Sequence, residues 1–301
     1  MPKTTTQTID RGEVGVRLDA FVAQAARISR ADAVRRIEAA LVRVNGAVVP
    51  KGRVLERGDT VEIDEAESVG WPRPDVRYEV LFSDDRLLVV HKPPGVHTVE
   101  VPAGNERVLA RAVAFDHPDL LALGPPDYGA CHRLDEGTSG VVIFARTEDL
   151  YVRVREAFSN HRVEKTYRAL VASSPPDEWR VDVPIGHPRR RADHVVTAEG
   201  RGLVEASTAF RTIRRYDGCA LVEAVTRTGA RHQIRAHLAH SGCPILGDPL
   251  YGGPSVSDGR LRLHARSVHL PDPEDRTREL RFACEPDDRF FAFADVLANF
   301  V

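Results

Sequence analysis

The chain has 301 residues, of which 42% are apolar, and a formal net charge of −2. This length is enough for two folded domains, and no apolar run reaches the roughly 18 residues that a membrane-spanning helix needs. The four cysteines form no C-x-x-C pair, which argues against a disulfide framework and a thiolate zinc site. The composition therefore predicts a reduced, cytoplasmic globular protein. The first ten residues, MPKTTTQTID, have no apolar core, and we expect a short polar lead-in.

The next segment has a helical and then an extended pattern. Apolar side chains at helical spacing predict a helix over residues 16–26, and a capping-box-like start at Ser29 predicts a second one. Asn45 and Gly46 lie between short β-branched runs, and this dipeptide is typical of a two-residue hairpin turn. A further strand is expected in GDTVEID, at 58–64.

Basic side chains are concentrated in this segment. They are Arg27, Arg30, Arg35, Arg36, Arg43, Lys51 and Arg53, against only Asp32 and Glu38. Such a run is often just a solvated helix face. The order R-L-D…SR-x-D-A…V-x-V-N-G…K-G…GD-x-V-x-I, however, resembles the S-four-type (alpha-L) RNA-binding module. The resemblance implies an RNA-binding domain over 10–66, with Arg30, Arg35, Arg36 and Lys51 contacting RNA, and a Pro- and Gly-containing linker at 67–76.

Strands dominate the remainder, which we interpret as one domain over residues 77–301. The predicted elements are two strands around Asp84-Asp85, a buried strand at 140–146, an amphipathic helix at 147–161, a strand at 165–172, β-like segments near 180–185, 194–198, 204–213 and 219–226, a helix at 230–242, and a last helix from Asp287. Helices inserted among many strands favour an α+β class over a regular βαβ alternation.

The nine residues HRLDEGTSG, from His132 to Gly140, carry the densest set of reactive groups. They combine a carboxylate, a guanidinium, an imidazole and two hydroxyls, and they lead directly into a predicted buried strand. Active-site residues are often carried on loops that a rigid element supports. An Asp in such a turn also commonly caps backbone amides. Composition alone leaves both interpretations of Asp135 open.

Two other segments contain candidate site residues. In TGARHQIRAHLAHSG, a helix from Arg231 places Arg231 and Arg235 on one face, whereas His232, His237 and His240 fit a zinc site poorly. The arginines are equally compatible with surface salt bridges. In EKTYRALV, Tyr167 in a strand is most often a packing residue.

Taken together, these motifs resemble RluA-type pseudouridine synthases over nearly the whole chain. The resemblance rests on HRLD-x-x-TSG followed by a strand, on EKTYRALV as the K-x-Y segment, on TGARHQIRAHLAHSGCPILGDPLYGG, and on the closing RLRLHARSVHLPDP. It implies an α+β fold in which the alpha-L domain precedes a mainly antiparallel mixed sheet. It also implies isomerisation of uridine to pseudouridine in structured RNA, most often large-subunit ribosomal RNA and sometimes transfer RNA.

The resemblance also implies roles for individual residues. Asp135 becomes the catalytic aspartate, Tyr167 the tyrosine that stacks on the base and later accepts a proton, and Arg235 the basic partner of Asp135. The substrate-binding residues of the second domain are Arg133, Leu263, His232 and Gln233. The reaction needs neither a redox change nor a group donor, so we expect no cofactor, no metal and a monomeric enzyme with RNA as its partner.

The chemistry suits these residue types. The bond between ribose and base nitrogen must break, and a carboxylate beside the sugar stabilises developing positive charge as in glycoside cleavage. Asp135 could attack the sugar, remove a proton from it, or attack the base. Glu136, Gly137 and Ala230 depart from the usual family motif, and we expect such positions to affect specificity.

Two alternatives belong to other functional classes. A catalytically silent RNA-binding protein would be expected to lack Asp135 or Tyr167, and both are present. A metal-dependent hydrolase using the histidine-rich helix would be sensitive to strong chelators.

Overall fold

The computed structural model describes residues 3–10, 12–26, 28, 30–38, 41–65, 75–101, 107–188, 194–198, 200–275 and 277–292. The chain forms two compact units. The first unit comprises residues 1–76 and 99–129, and the second comprises 77–98 and 130–301. Most of the predicted linker at 67–76 lies outside the described residues.

Within the described residues, the first unit contains a small sheet, three α-helices and a short 3-10 helix (Pro118–Leu123). Its elements are β1 (Lys3–Thr8), α1 (Leu18–Ala25), α2 (Arg30–Glu38), β2 (Val42–Val44), β3 (Thr60–Glu65) and α3 (Leu109–Asp116). The strands are antiparallel in the order β1-β3-β2. One apolar cluster joins helices and strands, with Leu18, Phe21, Ile37, Val42 and Val61 among its buried members.

Two local predictions for this unit were wrong. The expected polar lead-in is strand β1, which pairs with β3 along its whole length, because its threonines are β-branched and fit a pleated edge. The Asn-Gly turn forms as expected, with φ of 52° at Asn45 and 77° at Gly46. Its second arm is not a strand, however, and only an isolated bridge joins Val44 to Ala47, since β2 pairs with β3 instead.

The second unit is built on a nine-stranded sheet within the described residues. Its strands run in the order β4-β5-β6-β14-β7-β13-β12-β8, with β15 paired to β14. The strands of this sheet are β4 (Glu79–Ser83), β5 (Leu87–Lys92), β6 (Ser139–Ala145), β7 (Glu164–Val171), β8 (Glu178–Val181), β12 (Thr208–Tyr216), β13 (Cys219–Thr226), β14 (Leu263–Pro271) and β15 (Glu279–Ala283). The other strands and the α-helices of the unit are α4 (Glu148–Ser159), β9 (Ile185–His187), β10 (Val196–Thr197), β11 (Arg201–Val204) and α5 (Gln233–His240). Strands β9 to β11 form a separate small sheet.

Three central strands bring the predicted site residues together. Strand β14 pairs in parallel with β6 and antiparallel with β7, and the other neighbours in the large sheet are antiparallel. Gly140, Ala265 and Tyr167 lie side by side across these strands. The loop that enters β6 and the face of β7 are therefore neighbours. A mixed sheet of many strands with few helices confirms the predicted class at this level.

The helix predicted at 230–242 is shorter than expected. It begins at Gln233, and His232 before it has a left-handed φ of 53°. Arg231 thus lies outside the helix, so the prediction that Arg231 and Arg235 share a helical face was wrong. At the carboxyl end, a short 3-10 helix spans Asp288–Phe291, and the rest of the helix predicted from Asp287 lies outside the described residues, which end at 292.

No helix among the described residues combines the length and apolarity that crossing a bilayer requires. All four cysteines, each within the described ranges, are free thiols, and three of them are buried.

Candidate active site

Asp135 lies in a tight turn immediately before β6. The Thr138 amide donates to the Asp135 carbonyl at 3.0 Å, and this bond closes the turn. Leu134, just before it, is fixed from both sides by Thr98, whose hydroxyl accepts from the Leu134 amide at 3.0 Å and donates to the Leu134 carbonyl at 2.9 Å. The backbone of the loop is therefore held by bonds that do not use the Asp135 side chain.

The Asp135 carboxylate is open to solvent and has two polar neighbours. Its side chain is 25% exposed, with Arg235 Nη1 at 3.7 Å and His232 Nε2 at 3.8 Å. Within the described part of the chain no group donates a hydrogen bond to it. Asp135 is therefore not the amide cap that the structural alternative predicts.

Arg235 is held mainly by a second carboxylate. Its Nε and Nη2 each donate to Asp248 at 2.7 Å, in a bidentate pair, and Asp248 is fully buried. The guanidinium carbon also lies 5.0 Å from the centre of the Tyr251 ring. These contacts leave the third guanidinium nitrogen to face Asp135. Both Asp248 and Tyr251 come from the segment GDPLYGG.

Tyr251 also fixes the imidazole of His232. The Val195 amide donates to the Tyr251 hydroxyl at 2.9 Å, and that hydroxyl lies 3.0 Å from His232 Nδ1. Burial lowers the pKa of His232 to about 4, so the ring is neutral at pH 7. A hydroxyl that donates to Nδ1 leaves the proton on Nε2, the nitrogen that faces Asp135.

Lys92 supports the same loop through the Glu136 carbonyl, a role not predicted from the sequence. Its buried ammonium donates to three carbonyls, those of Pro93 at 2.9 Å, Val96 at 2.5 Å and Glu136 at 3.0 Å. Two amides, from Gly95 and Val96, donate to the Glu136 carbonyl as well. The segment KPPG at 92–95 is the signal that could have identified it, because a lysine at the end of a buried strand needs backbone acceptors.

A cavity of about 550 Å³ opens in front of Asp135. Tyr167 lines it from β7, and Leu263 from the start of β14. Burial, followed by the charge of Asp135, raises the pKa of Tyr167 above its usual value, so the phenol is un-ionised at neutral pH. A carboxylate, a guanidinium, a neutral imidazole, a phenol and an apolar wall thus surround one space.

The other predicted site residues occupy different places. Arg133 is exposed at the cavity, whereas Gln233 is buried and its amide bonds Ser207, Thr208, Thr226, Thr228 and Ala230. Gln233 therefore braces the loop before α5. Arg30, Arg36 and Lys51 belong to the first unit, where Arg30 pairs with the buried Asp19 at 3.2 Å. The side chain of Arg35 lies outside the described residues.

The described residues contain no cluster of three or more His, Cys, Asp or Glu suited to a metal ion. The histidines of the predicted zinc alternative have other partners. His237 bonds the Thr208 hydroxyl and the Val183 carbonyl, both at 2.9 Å, and His240 bonds the Thr197 hydroxyl at 3.0 Å.

Comparison with known proteins decides the family. The family model for RNA pseudouridylate synthases matches residues 86–240, which include the Asp135 loop, β7 and α5. The chain belongs to this family. The family predicted from the motifs is thus confirmed, and the protein is a pseudouridine synthase.

Individual relatives resemble it over most of their length. Ribosomal large subunit pseudouridine synthase D of Xanthomonas campestris is 36% identical over 79% of this chain and 72% of its own length. The enzyme of the same name from Pseudomonas aeruginosa is 29% identical over 86% of this chain and 85% of its own. Among solved structures, human RNA pseudouridylate synthase domain containing 4 is 28% identical, with a TM-score of 0.57 over 73% of this chain and 93% of that one.

The departing residues Glu136, Gly137 and Ala230 lie at or next to this site. Gly137 packs closely, since an added Cβ would lie 3.1 Å from the Leu261 Cβ. The Glu136 carboxylate is exposed, 3.6 Å from His97, and the Ala230 amide donates to Gln233 at 3.1 Å. Their effect on specificity stays a prediction.

Proposed function

We propose that this synthase isomerises specific uridines of large-subunit ribosomal RNA, with Asp135 as its essential carboxylate. The observation that carries the proposal is the exposed Asp135 carboxylate, which faces a cavity beside Arg235 and His232 without being tied by a hydrogen bond from the described residues. The names of the relatives support the choice of RNA, because they specify the large ribosomal subunit.

The target uridine enters the cavity after it has been unstacked and flipped out of its strand. Tyr167 stacks on the base, Leu263 forms the apolar wall, and Arg133 contacts RNA at the entrance. Asp135 acts on the ribose or on the base while the bond between ribose and base nitrogen breaks. Arg235 and the His232 Nε2 proton stabilise its negative charge without neutralising it. No cofactor or metal takes part in the proposed mechanism.

The final proton transfer involves Tyr167. Because the raised pKa keeps its phenol un-ionised, Tyr167 accepts the proton of carbon five only while it releases its own hydroxyl proton. Asp135, whose charge contributes to that raised pKa, is the neighbouring carboxylate that receives it. Tyr167 therefore acts as a relay, and Asp135 is the terminal base.

We further propose that residues 10–66 act as an alpha-L RNA-binding module. Helices α1 and α2 share an apolar cluster with strands β2 and β3 there, strand β1 just ahead of this range pairs with β3, and basic residues including Arg30, Arg36 and Lys51 lie on this unit. The test leaves Arg30 unchanged, because its loss would remove an ion pair from the buried Asp19. The double variant Arg36→Gln, Lys51→Gln should weaken RNA binding and reduce its salt dependence; unchanged binding would exclude this role.

The decisive experiment is pseudouridine mapping on ribosomal RNA from cells with and without the enzyme. We expect one or a few sites to disappear in its absence and to return with the wild-type gene but not with Asp135→Asn. The Asn side chain has nearly the same shape as Asp but no negative charge. Restoration of the sites by Asp135→Asn would overturn the catalytic assignment, and an unchanged map without the enzyme would overturn the choice of RNA.

A further inference from the structure

A second cation lines the active-site cavity away from Asp135. Lys165 and Tyr167 are two residues apart on β7, so their side chains project from the same face, roughly 7 Å apart along the strand. Both line the cavity. Phe158, near the end of α4, and Gly229 also line the cavity, and both lie close to the Lys165 ammonium. This part of the cavity wall, formed by Phe158, Lys165 and Gly229, has no role in the proposed reaction.

The Lys165 ammonium is buried but incompletely paired. It is 8% exposed and donates one hydrogen bond, to the Thr228 carbonyl at 2.6 Å, although an ammonium carries three donors. It also lies 5.9 Å from the centre of the Phe158 ring. No carboxylate pairs with it in the described ranges. Lys92, the other buried lysine of this unit, by contrast donates to three carbonyls.

A buried charge without a counter-ion is unfavourable, and it becomes favourable when an anion enters. Burial lowers the pKa of Lys165 only to about 8, so most of the ammonium is charged at pH 7. The cavity provides space beside it, since Lys165 lines that cavity. On its other sides the ammonium is closely packed: a Cβ on Gly229 would approach it to 3.3 Å, and the Phe158 ring is held in place by stacking on His132 with 4.6 Å between ring centres.

We propose that Lys165 binds a backbone phosphate of the nucleotide next to the flipped uridine. A phosphodiester supplies the acceptor oxygens and the negative charge that this ammonium lacks. The offset of roughly 7 Å from Tyr167 along β7 is comparable to one nucleotide step of an extended strand. The inference rests on the proposed function, since it requires the uridine to occupy the space in front of Asp135 and Tyr167.

The test measures binding of the RNA heptanucleotide CCCUCCC by fluorescence anisotropy over a series of salt concentrations. Lys165→Met keeps the length of the side chain and removes its charge, whereas Lys165→Arg keeps the charge. We expect the Met variant to bind the RNA roughly tenfold more weakly. The salt slope, which is the slope of the logarithm of affinity against the logarithm of salt concentration, should fall in magnitude by about 0.7. The Arg variant should retain most of the affinity and the slope.

A modified probe locates the contact. A methylphosphonate linkage beside the uridine removes the charge of one phosphate. At the linkage that Lys165 contacts, this modification should weaken binding to the wild type but not to Lys165→Met. Modifications two or more linkages away should affect both proteins equally. Equal losses at every position, an unchanged salt slope in the Met variant, or failure of the wild type to bind the heptanucleotide would overturn the proposal.

A purely structural role for Lys165 predicts a different result. After Lys165→Met the Thr226 hydroxyl, 3.3 Å from the Thr228 carbonyl, can turn its single hydrogen to that carbonyl from Ser207, whose carbonyl still accepts from Gln233. We therefore expect the melting temperature of the Met variant to be equal to or above that of the wild type, because a buried charge has been removed. A lower melting temperature together with unchanged RNA binding would assign Lys165 to folding alone.

None of these measurements uses turnover. A negative result for Lys165 is therefore distinct from a negative result for the proposed isomerase reaction on ribosomal RNA.

Discussion

The described side chains around Asp135 approach its carboxylate without making a hydrogen bond to it. Arg235 lies 3.7 Å from it, beyond a direct hydrogen bond, because Asp248 takes two of the guanidinium nitrogens at 2.7 Å. A carboxylate with several short hydrogen bonds is a weaker base and nucleophile, since those bonds favour its ionised resting form. Asp248 thus acts as a positioning residue that prevents Arg235 from closing onto Asp135.

Replacing Asp248 should therefore slow the reaction without a comparable change in RNA binding. In Asp248→Asn the guanidinium loses its charged partner, and we expect it to move toward Asp135. A displacement of about 1 Å at such a site costs roughly 100-fold in kcat, whereas KM should change little because the buried Asp248 does not reach the RNA. Single-turnover kinetics on a mapped substrate RNA would measure both quantities.

The matched control for this substitution is Asp288→Asn, at an exposed carboxylate of the same unit. It should leave kcat and the melting temperature unchanged. A wild-type kcat in Asp248→Asn would refute the positioning role. We also expect Asp248→Asn to lose much of its stability, because the nearly buried guanidinium of Arg235 is left with an uncharged partner. Its kcat should therefore be measured well below the melting temperature of the variant.

Tyr167 allows a second test at the scale of a single residue. Tyr167→Phe keeps the ring for which we propose stacking on the base, but removes the hydroxyl to which we assign the proton relay. We expect RNA affinity within about twofold of the wild type and almost no pseudouridine formed, while release of the base from the ribose can still occur. Pseudouridine quantification after incubation of the variant with substrate RNA measures this. Wild-type turnover in Tyr167→Phe would remove its hydroxyl from the mechanism.

At the scale of elements, the site depends on how closely β6 and β14 approach. Gly140 has a φ of 129°, and a Cβ built there would lie 2.2 Å from the Ala265 carbonyl oxygen. Only glycine is accommodated in this backbone conformation at this distance. The close approach places the Asp135 loop, at the start of β6, beside Leu263 at the start of β14.

Gly140→Ala should therefore destabilise the enzyme by more than the cost of a positive φ alone. We expect a loss of at least about 3 kcal/mol in the free energy of unfolding, which is typical of a strained and overpacked position. Gly259→Ala is the control, because Gly259 has a φ of 63° and nothing within 4 Å of its added Cβ. The control should lose only about 1–2 kcal/mol. Equal losses in urea denaturation would show that the contact with β14 is unimportant.

Elements whose burial pattern is local could be predicted from the sequence. Strand β6 is apolar after Ser139 and fully buried, and Thr147 caps α4 by accepting from the Leu150 amide. Strand β1 could not be predicted, because its exposed threonines are ordered by pairing with β3, which is distant in sequence. The start of α5 was also missed, since the left-handed His232 before it is held by Tyr251 through a contact between separate motifs.

The same distinction holds for the candidate site. The sequence motifs point to four candidate site residues, because each motif carries its own candidate. These residues are Asp135, Tyr167, Arg235 and Leu263. Their supporting residues could not be predicted, because the roles of these residues depend on contacts between different motifs. Lys92 is 44 residues from Glu136, and Asp248 is 13 residues from Arg235. The choice of Gln233 as a substrate-binding residue remains a prediction, and its saturated amide group favours a supporting role.

At the scale of the whole molecule, net charge is a poor guide to the partner. A formal charge of −2 does not suggest an RNA-binding protein. Near the cavity, however, cationic groups lie at Arg133, Arg231, Arg235 and Lys165, against the carboxylates of Asp135 and Glu205. Local charge, rather than the sum over the chain, determines where a polyanion binds.

Buried histidines determine how the stability of the molecule depends on pH. Burial lowers the pKa of His132 to about 3, and of both His232 and His264 to about 4. In the unfolded chain a histidine titrates near 6.5. Between these values the unfolded state binds more protons than the native state, so stability is fully present above about pH 6.5 and is lost as the pH falls toward 4.

His264 is the most suitable of the three for a test, because it is fully buried and is not among the residues that line the cavity. Its Nε2 donates to the Cys284 carbonyl at 3.0 Å, and its Nδ1 lies 2.9 Å from the Ser139 hydroxyl. Protonation would place a second hydrogen against that hydroxyl, which already accepts from Arg260 at 3.4 Å. Each such histidine should lower the free energy of unfolding by roughly 2 kcal/mol between pH 7.5 and pH 5, as measured by urea denaturation.

The variant His264→Gln, although less stable at pH 7.5, should show a decrease in the free energy of unfolding between the two pH values that is smaller by about that amount. The exposed His240→Gln should show the wild-type difference, and an equal difference in all three proteins would mean that protonation of His264 does not drive the acid sensitivity.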